Sequence, residues 1–145
     1  FNVMRGGRTA EQLWTYRKPA SRIRNNNTQS CLDVASADTA AGAEVLPWSC
    51  HSGENQLWAL HEIQNSGVYH LVNQNSGKCA DFFTGDLSQQ VCAAHPSQRF
   101  ILGVLNNGAF PIQSLSGECM TQSSSDQLIL ESCSESAPSQ YWRFD

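Results

Sequence analysis

One pattern constrains this chain more than any other, and it occurs three times. A cysteine is followed by a second cysteine 13 to 19 positions later, and then by a Gln-x-aromatic six to seven residues beyond that. The first copy runs from Cys31 to Trp58, the second from Cys79 to Phe100, the third from Cys119 to Trp142. The closing aromatics fall at positions 58, 100 and 142, 42 apart each time. A unit of about 40 residues cannot bury its own apolar face, so such units must pack against one another.

Within each unit the signals are those of short strands. Ile23 and Leu71 stand eight residues before their cysteines, and Ile112 seven before its own. Polar turns follow: Asn25-Asn26-Asn27-Thr28, Asn73-Gln74-Asn75-Ser76-Gly77 and Leu115-Ser116-Gly117. Asn and Gly suit such turns because they tolerate positive φ and bond their own backbone. Further apolar runs recur at Glu44–Trp48, Gln90–Cys92 and Gln127–Glu131, and each Gln-x-aromatic closes its unit with another strand. No segment keeps a helical period long enough to compete. Three units of about four strands around a pseudo-threefold axis predict an all-β fold, the β-trefoil. A propeller wants at least four blades and a longer chain. The expected repeats are about 21–62, 63–104 and 105–145. Trp58, Phe100 and Trp142 are expected in the core.

Six cysteines in a 145-residue chain imply an oxidising, extracellular destination and a secreted protein. Of the connectivities open to them, Cys31–Cys50, Cys79–Cys92 and Cys119–Cys133 are the set that keeps the threefold pattern. No CxxC occurs and no His–Cys spacing suits zinc, so neither a metal nor another cofactor is expected. The net charge of −4, without a basic face, argues against nucleic acid. No apolar run is long enough for a membrane helix. No signal-peptide pattern precedes Phe1, so the chain reads as mature, processed or excised from something larger.

Residues 1–20 lie outside the repeat and read as a linker or the end of a preceding domain. Arg5-Gly6-Gly7-Arg8 suggests a turn, Thr9 to Gln12 a helix cap, and Lys18-Pro19-Ala20 a boundary. Gln12-Leu13-Trp14 echoes the later Gln-x-Trp without a cysteine or strand pattern before it.

The three units differ in their polar residues. The first has Asp33 two residues after its first cysteine, Trp48 two before its second, and Asn55 directly before Gln56-Leu57-Trp58. A carboxylate and an amide exchange hydrogen bonds with sugar hydroxyls, and an indole stacks on the apolar face of a pyranose. Taken separately, Asp33 would be an ordinary turn carboxylate and Trp48 a packing residue.

Cys31-Leu32-Asp33-Val34, Trp48-Ser49-Cys50 and Asn55-Gln56-Leu57-Trp58 resemble the signature of the ricin B-type (R-type) lectins, over Ser21 to Asp145. The resemblance implies galactose or N-acetylgalactosamine binding without calcium. It assigns Asp33, Trp48 and Asn55 as the contacts, with Gln56 orienting Asp33 or the backbone. Leu46 stands where family members often carry a polar residue. In the second unit Asp81 is kept, but Gln90 and Ser97 replace the aromatic and the asparagine. Phe82, Phe83 and His95 are the candidates for a substitute stacking surface there. In the third unit Thr121, Glu131 and Ser139 keep none of the roles, and that unit is read as structural.

The whole is also similar to the trefoil lectin domains of secreted bacterial pore-forming haemolysins of the Vibrio cytolysin type. That likeness implies a targeting role toward cell-surface glycans, with the membrane reached only through them. One weak site per domain implies an oligomer or a larger chain. The competing readings are a binding module of a secreted glycoside hydrolase and a protein-binding trefoil. Catalysis is not expected. Asp33 and Asp81 lie in different units, whereas glycosidases need two carboxylates facing one bond. His51, His61, His70 and His95 have no nucleophile at a recognisable spacing.

Overall fold

The computed structural model describes residues 20–145, so the expectations for residues 1–19 lie outside the described part. Twelve strands follow in four-strand sets, one set per repeat. The first set is β1 (Ile23–Asn25), β2 (Cys31–Val34), β3 (Val45–Trp48) and β4 (Trp58–Glu62). The second is β5 (Val68–Asn73), β6 (Cys79–Asp81), β7 (Ser88–Gln90) and β8 (Phe100–Leu102). The third is β9 (Phe110–Ser114), β10 (Cys119–Gln122), β11 (Leu128–Glu131) and β12 (Tyr141–Phe144). One expectation needs correcting. The strand predicted at Gln90–Cys92 lies at Ser88–Gln90 instead, because its apolar core residue is Leu87, just before it.

Six strands close a barrel. β1 pairs with β12, β12 with β9, β9 with β8, β8 with β5 and β5 with β4. An antiparallel bridge between Ser21 and Trp58 completes the circuit. The hairpins β2–β3, β6–β7 and β10–β11 hang from β1, β5 and β9. This is the β-trefoil, with its threefold axis through the barrel.

The core repeats by threes: Ile23, Leu71 and Ile112; Leu32, Ala80 and Met120; Val45, Leu87 and Leu128; Trp58, Phe100 and Trp142. Each closing tryptophan must satisfy a buried N–H. Trp58 Nε1 donates to the Leu32 carbonyl and Trp142 Nε1 to the Met120 carbonyl, both at 3.1 Å. Phe100 has no such group and packs edge-on against Phe82.

The glutamine of each Gln-x-aromatic clamps its own hairpin. The Gln56 side chain accepts from His51 N–H and donates to the Ser49 carbonyl. Gln98 does the same with Ala93 and Val91, and Gln140 with Ser134 and Ser132. Disulfides Cys31–Cys50, Cys79–Cys92 and Cys119–Cys133 staple each unit internally. Asn25 and Asn73 join neighbouring units: each side-chain oxygen caps its own turn while the amide donates to the segment before a neighbouring unit's Gln-x-aromatic, at Ser139 and Asn55.

Candidate functional site: a cleft on the first repeat

Register brings the first-repeat residues together. In the β2–β3 hairpin Cys31 faces Trp48 and Asp33 faces Leu46. Side chains alternate along a strand, so Asp33, Leu46 and Trp48 share one face. The 3-10 turn Glu54–Gln56 then delivers Asn55. Together they line a cleft of about 510 Å³, with Ala35, Ser36, Ala37 and His51. That volume lies within the usual range for small-ligand sites, about 300–1,000 Å³.

The polar groups of the cleft are held from behind. Asp33 is only 5 % exposed. Its Oδ2 accepts from Gln56 Nε2 at 2.8 Å and lies 3.3 Å from His51 Nε2. His51 Nδ1 accepts from Gly53 N–H, which leaves the proton of the neutral ring on Nε2, toward Asp33. No hydrogen bond within the described residues engages Asp33 Oδ1. Asn55 donates to the Val34 carbonyl, which orients its amide at the cleft. Trp48 is 56 % exposed, so its ring is open to a partner.

Four contributors, His51, Gly53, Ser36 and Ala37, were not singled out as site residues in the sequence. His51 supports Asp33. At Gly53 a Cβ would meet the His51 ring at 2.7 Å and Asn55 Oδ1 at 2.8 Å, so any larger residue would push both site side chains out of place. Ser36 and Ala37 form the lip of the cleft with φ of 58° and 53°, a left-handed conformation unusual for side-chain-bearing residues. The second repeat holds that lip. Asn75 donates to the Ala37 carbonyl, and buried Gln89 donates to the carbonyls of Asp38 and Ala40. A polar residue midway along β7 carries no sign that it supports another repeat's loop.

The second repeat has a larger cleft, about 750 Å³, lined by Asp81, Phe83, Gln90, Val91 and His95 among others. Here Asp81 is used up internally. Its Oδ1 accepts from Phe83 N–H at 2.6 Å and its Oδ2 from Gln98 Nε2 at 3.0 Å. Phe83 is exposed at the rim, while Phe82 is buried in the core and lines no part of the cleft. In the third repeat Thr121 turns its hydroxyl onto the Cys119 carbonyl. The nearby cleft is lined by none of Thr121, Glu131 or Ser139.

The remaining histidines sit apart from the first cleft. His61 and His70 face each other across β4 and β5. The His70 pKa is lowered by burial, with the Arg99 and His61 charges adding to the effect. Among the described residues no group of three His, Cys, Asp or Glu side chains converges as a metal site.

A family model of the ricin-type beta-trefoil lectin domain-like proteins matches residues 10–90. Among solved structures, a designed threefold-symmetric protein, ThreeFoil, superposes with a TM-score of 0.78 at 26% identity, over 86% of this chain and 96% of that one. The hemolytic lectin CEL-III superposes with a TM-score of 0.75 at 22% identity, over 89% of this chain. This chain spans only 30% of CEL-III. The C-half of the earthworm R-type lectin, solved in complex with GalNAc, gives a TM-score of 0.70 at 17% identity, over 88% of this chain and 98% of that one. With more than half its length matched by the family model, the chain belongs to the ricin-type beta-trefoil lectin domain-like family.

Proposed function

We propose that the first-repeat cleft binds a terminal galactose or N-acetylgalactosamine, and that the domain has no catalytic activity of its own. The observation that carries this is the contrast between two matching carboxylates. Asp33 keeps one oxygen unengaged beside an exposed indole and an oriented amide, whereas Asp81 has both oxygens satisfied. Asp33 Oδ1 accepts from sugar hydroxyls, Asn55 exchanges hydrogen bonds with a neighbouring hydroxyl, and the sugar's apolar face stacks on Trp48. Gln56 and His51 keep the carboxylate aimed. One ring and a few hydrogen bonds give a dissociation constant of about 0.1–10 mM, or about 3–6 kcal/mol.

So weak a site gains strength when several act together, which fits a domain that serves a larger assembly. The three intra-repeat disulfides fit an extracellular destination. The further reading is a targeting module that brings a secreted toxin to cell-surface glycans. The likeness in fold to a hemolytic lectin is in keeping with it.

Calorimetric titration with N-acetylgalactosamine, on wild type and on Asp33→Ala and Trp48→Ala, tests the site. Both variants should lose at least tenfold in affinity while melting cooperatively. Equal binding by wild type and variants would sink the assignment.

A further inference from the structure

Trp48 and Leu46 line a second cleft as well as the first. This one, about 370 Å³, is bounded by Ser30, Pro47 and Ser49 of the first repeat and by Gln122 and Asp126 of the third. The two clefts therefore adjoin along β3 and share Leu46 and Trp48 in their lining.

The third repeat's contribution is unusual for its place in the fold. Thr121 pairs along its hairpin as Asp33 and Asp81 do along theirs, so Gln122 occupies the position of Val34 and Phe82. Those two belong to the apolar core. Gln122 is instead an amide, 6 % exposed, with its oxygen accepting from Thr28 Oγ1 at 2.8 Å. That bond accounts for one end of the side chain, since it ties a turn across the repeat boundary. The other end is directed at the cleft, where Nε2 donates to Asp126 Oδ1 at 3.3 Å. Asp126 holds a left-handed backbone, φ 60°, and Oδ2 has no hydrogen-bond partner among the described residues. A buried amide holding an exposed carboxylate beside an exposed indole is an arrangement that burial alone does not call for.

We propose that Gln122 and Asp126 form a second subsite, which takes the next monosaccharide of a glycan whose terminal sugar occupies the first cleft. This rests on the reading of the first cleft as the galactoside site. The terminal ring stacks on Trp48, and the glycosidic bond crosses the exposed indole. Hydroxyls of the penultimate sugar then donate to Asp126 and accept from the Gln122 amide. The negative charge of Asp126 selects neutral penultimate sugars over sulfated or carboxylated ones. The preferred ligand is thus a neutral disaccharide or longer chain ending in galactose or N-acetylgalactosamine, bound by two repeats together.

The test compares N-acetylgalactosamine with neutral disaccharides ending in galactose or N-acetylgalactosamine in varied linkages, titrated into wild type, Asp126→Gly, Gln122→Met and Asp33→Ala. Glycine suits the left-handed backbone at position 126, so that variant should fold. At least one disaccharide should bind wild type about tenfold more tightly than the monosaccharide, and Asp126→Gly should remove that advantage without changing monosaccharide affinity. Gln122→Met should lower the same advantage. Asp33→Ala should lose both ligands. If no disaccharide gains over the monosaccharide, or if Asp126→Gly keeps the full gain, the second subsite is overturned while the first cleft stands. If wild type binds neither sugar, both readings fall.

Discussion

Asp33 and Asp81 occupy matching places on matching strands and accept from matching glutamines, yet His51 stands beside Asp33 alone and a backbone N–H reaches Asp81 alone. The Phe83 N–H that reaches Asp81 Oδ1 has no counterpart at Asp33. The backbone after β2 instead enters the left-handed pair Ser36–Ala37 and leaves the carboxylate facing an open cleft. The cysteine spacing places both aspartates but says nothing of that turn. The closing aromatics show a similar dependence on a single atom. Trp58→Phe puts the second repeat's closing residue type in the first and leaves the buried Leu32 carbonyl without its donor. Chemical denaturation should show a loss of about 1–3 kcal/mol for an unsatisfied buried acceptor. A smaller loss would mean that the Leu32 carbonyl finds another donor once the indole is gone.

Between the residues of the site and the barrel stands one loop, from Ala35 to Glu44. It is the lip of the cleft, and two of its residues hold a conformation that costs about 1–3 kcal/mol each. It stays in place because the second repeat grips it through Gln89 and Asn75. Gln89→Leu removes two donors from loop carbonyls and one acceptor from Ser76. That variant should lose about 2–4 kcal/mol of stability by denaturation. At temperatures where it is still folded, it should bind N-acetylgalactosamine several-fold more weakly. Unchanged sugar affinity in the folded variant would show that the lip holds its shape without the second repeat. The first and third hairpins were legible from their apolar runs, whereas β7 is the polar run Ser88–Gln90 and lies off the run predicted for it. The loop was not legible, because its conformation is set by bonds from residues about 40 to 50 positions away.

At the scale of the whole molecule, three units that are each too small to bury a core close one barrel between them. The disulfides act within units, so each removes chain entropy locally and none ties one repeat to another. Replacing both Cys79 and Cys92 with alanine should cost about 3 kcal/mol. It should lower the melting temperature of the whole domain in one transition, because the core is continuous across repeats. Separate melting of the second repeat would contradict that. The 42-residue period and the Gln-x-aromatic ends determined the trefoil, its core aromatics and its disulfide partners, since a short apolar pattern repeated three times has few ways to bury itself. Residue types two positions from a cysteine also marked Asp33 and Trp48, because strand pleat and hairpin register turn such spacing into a shared face. The tertiary structure alone decided which carboxylate keeps an oxygen unengaged, which repeat holds the lip, and that the third repeat joins Trp48 in lining a second cleft. The last two depend on contacts between repeats and the first on the turn that follows the strand, and cysteine spacing encodes none of them.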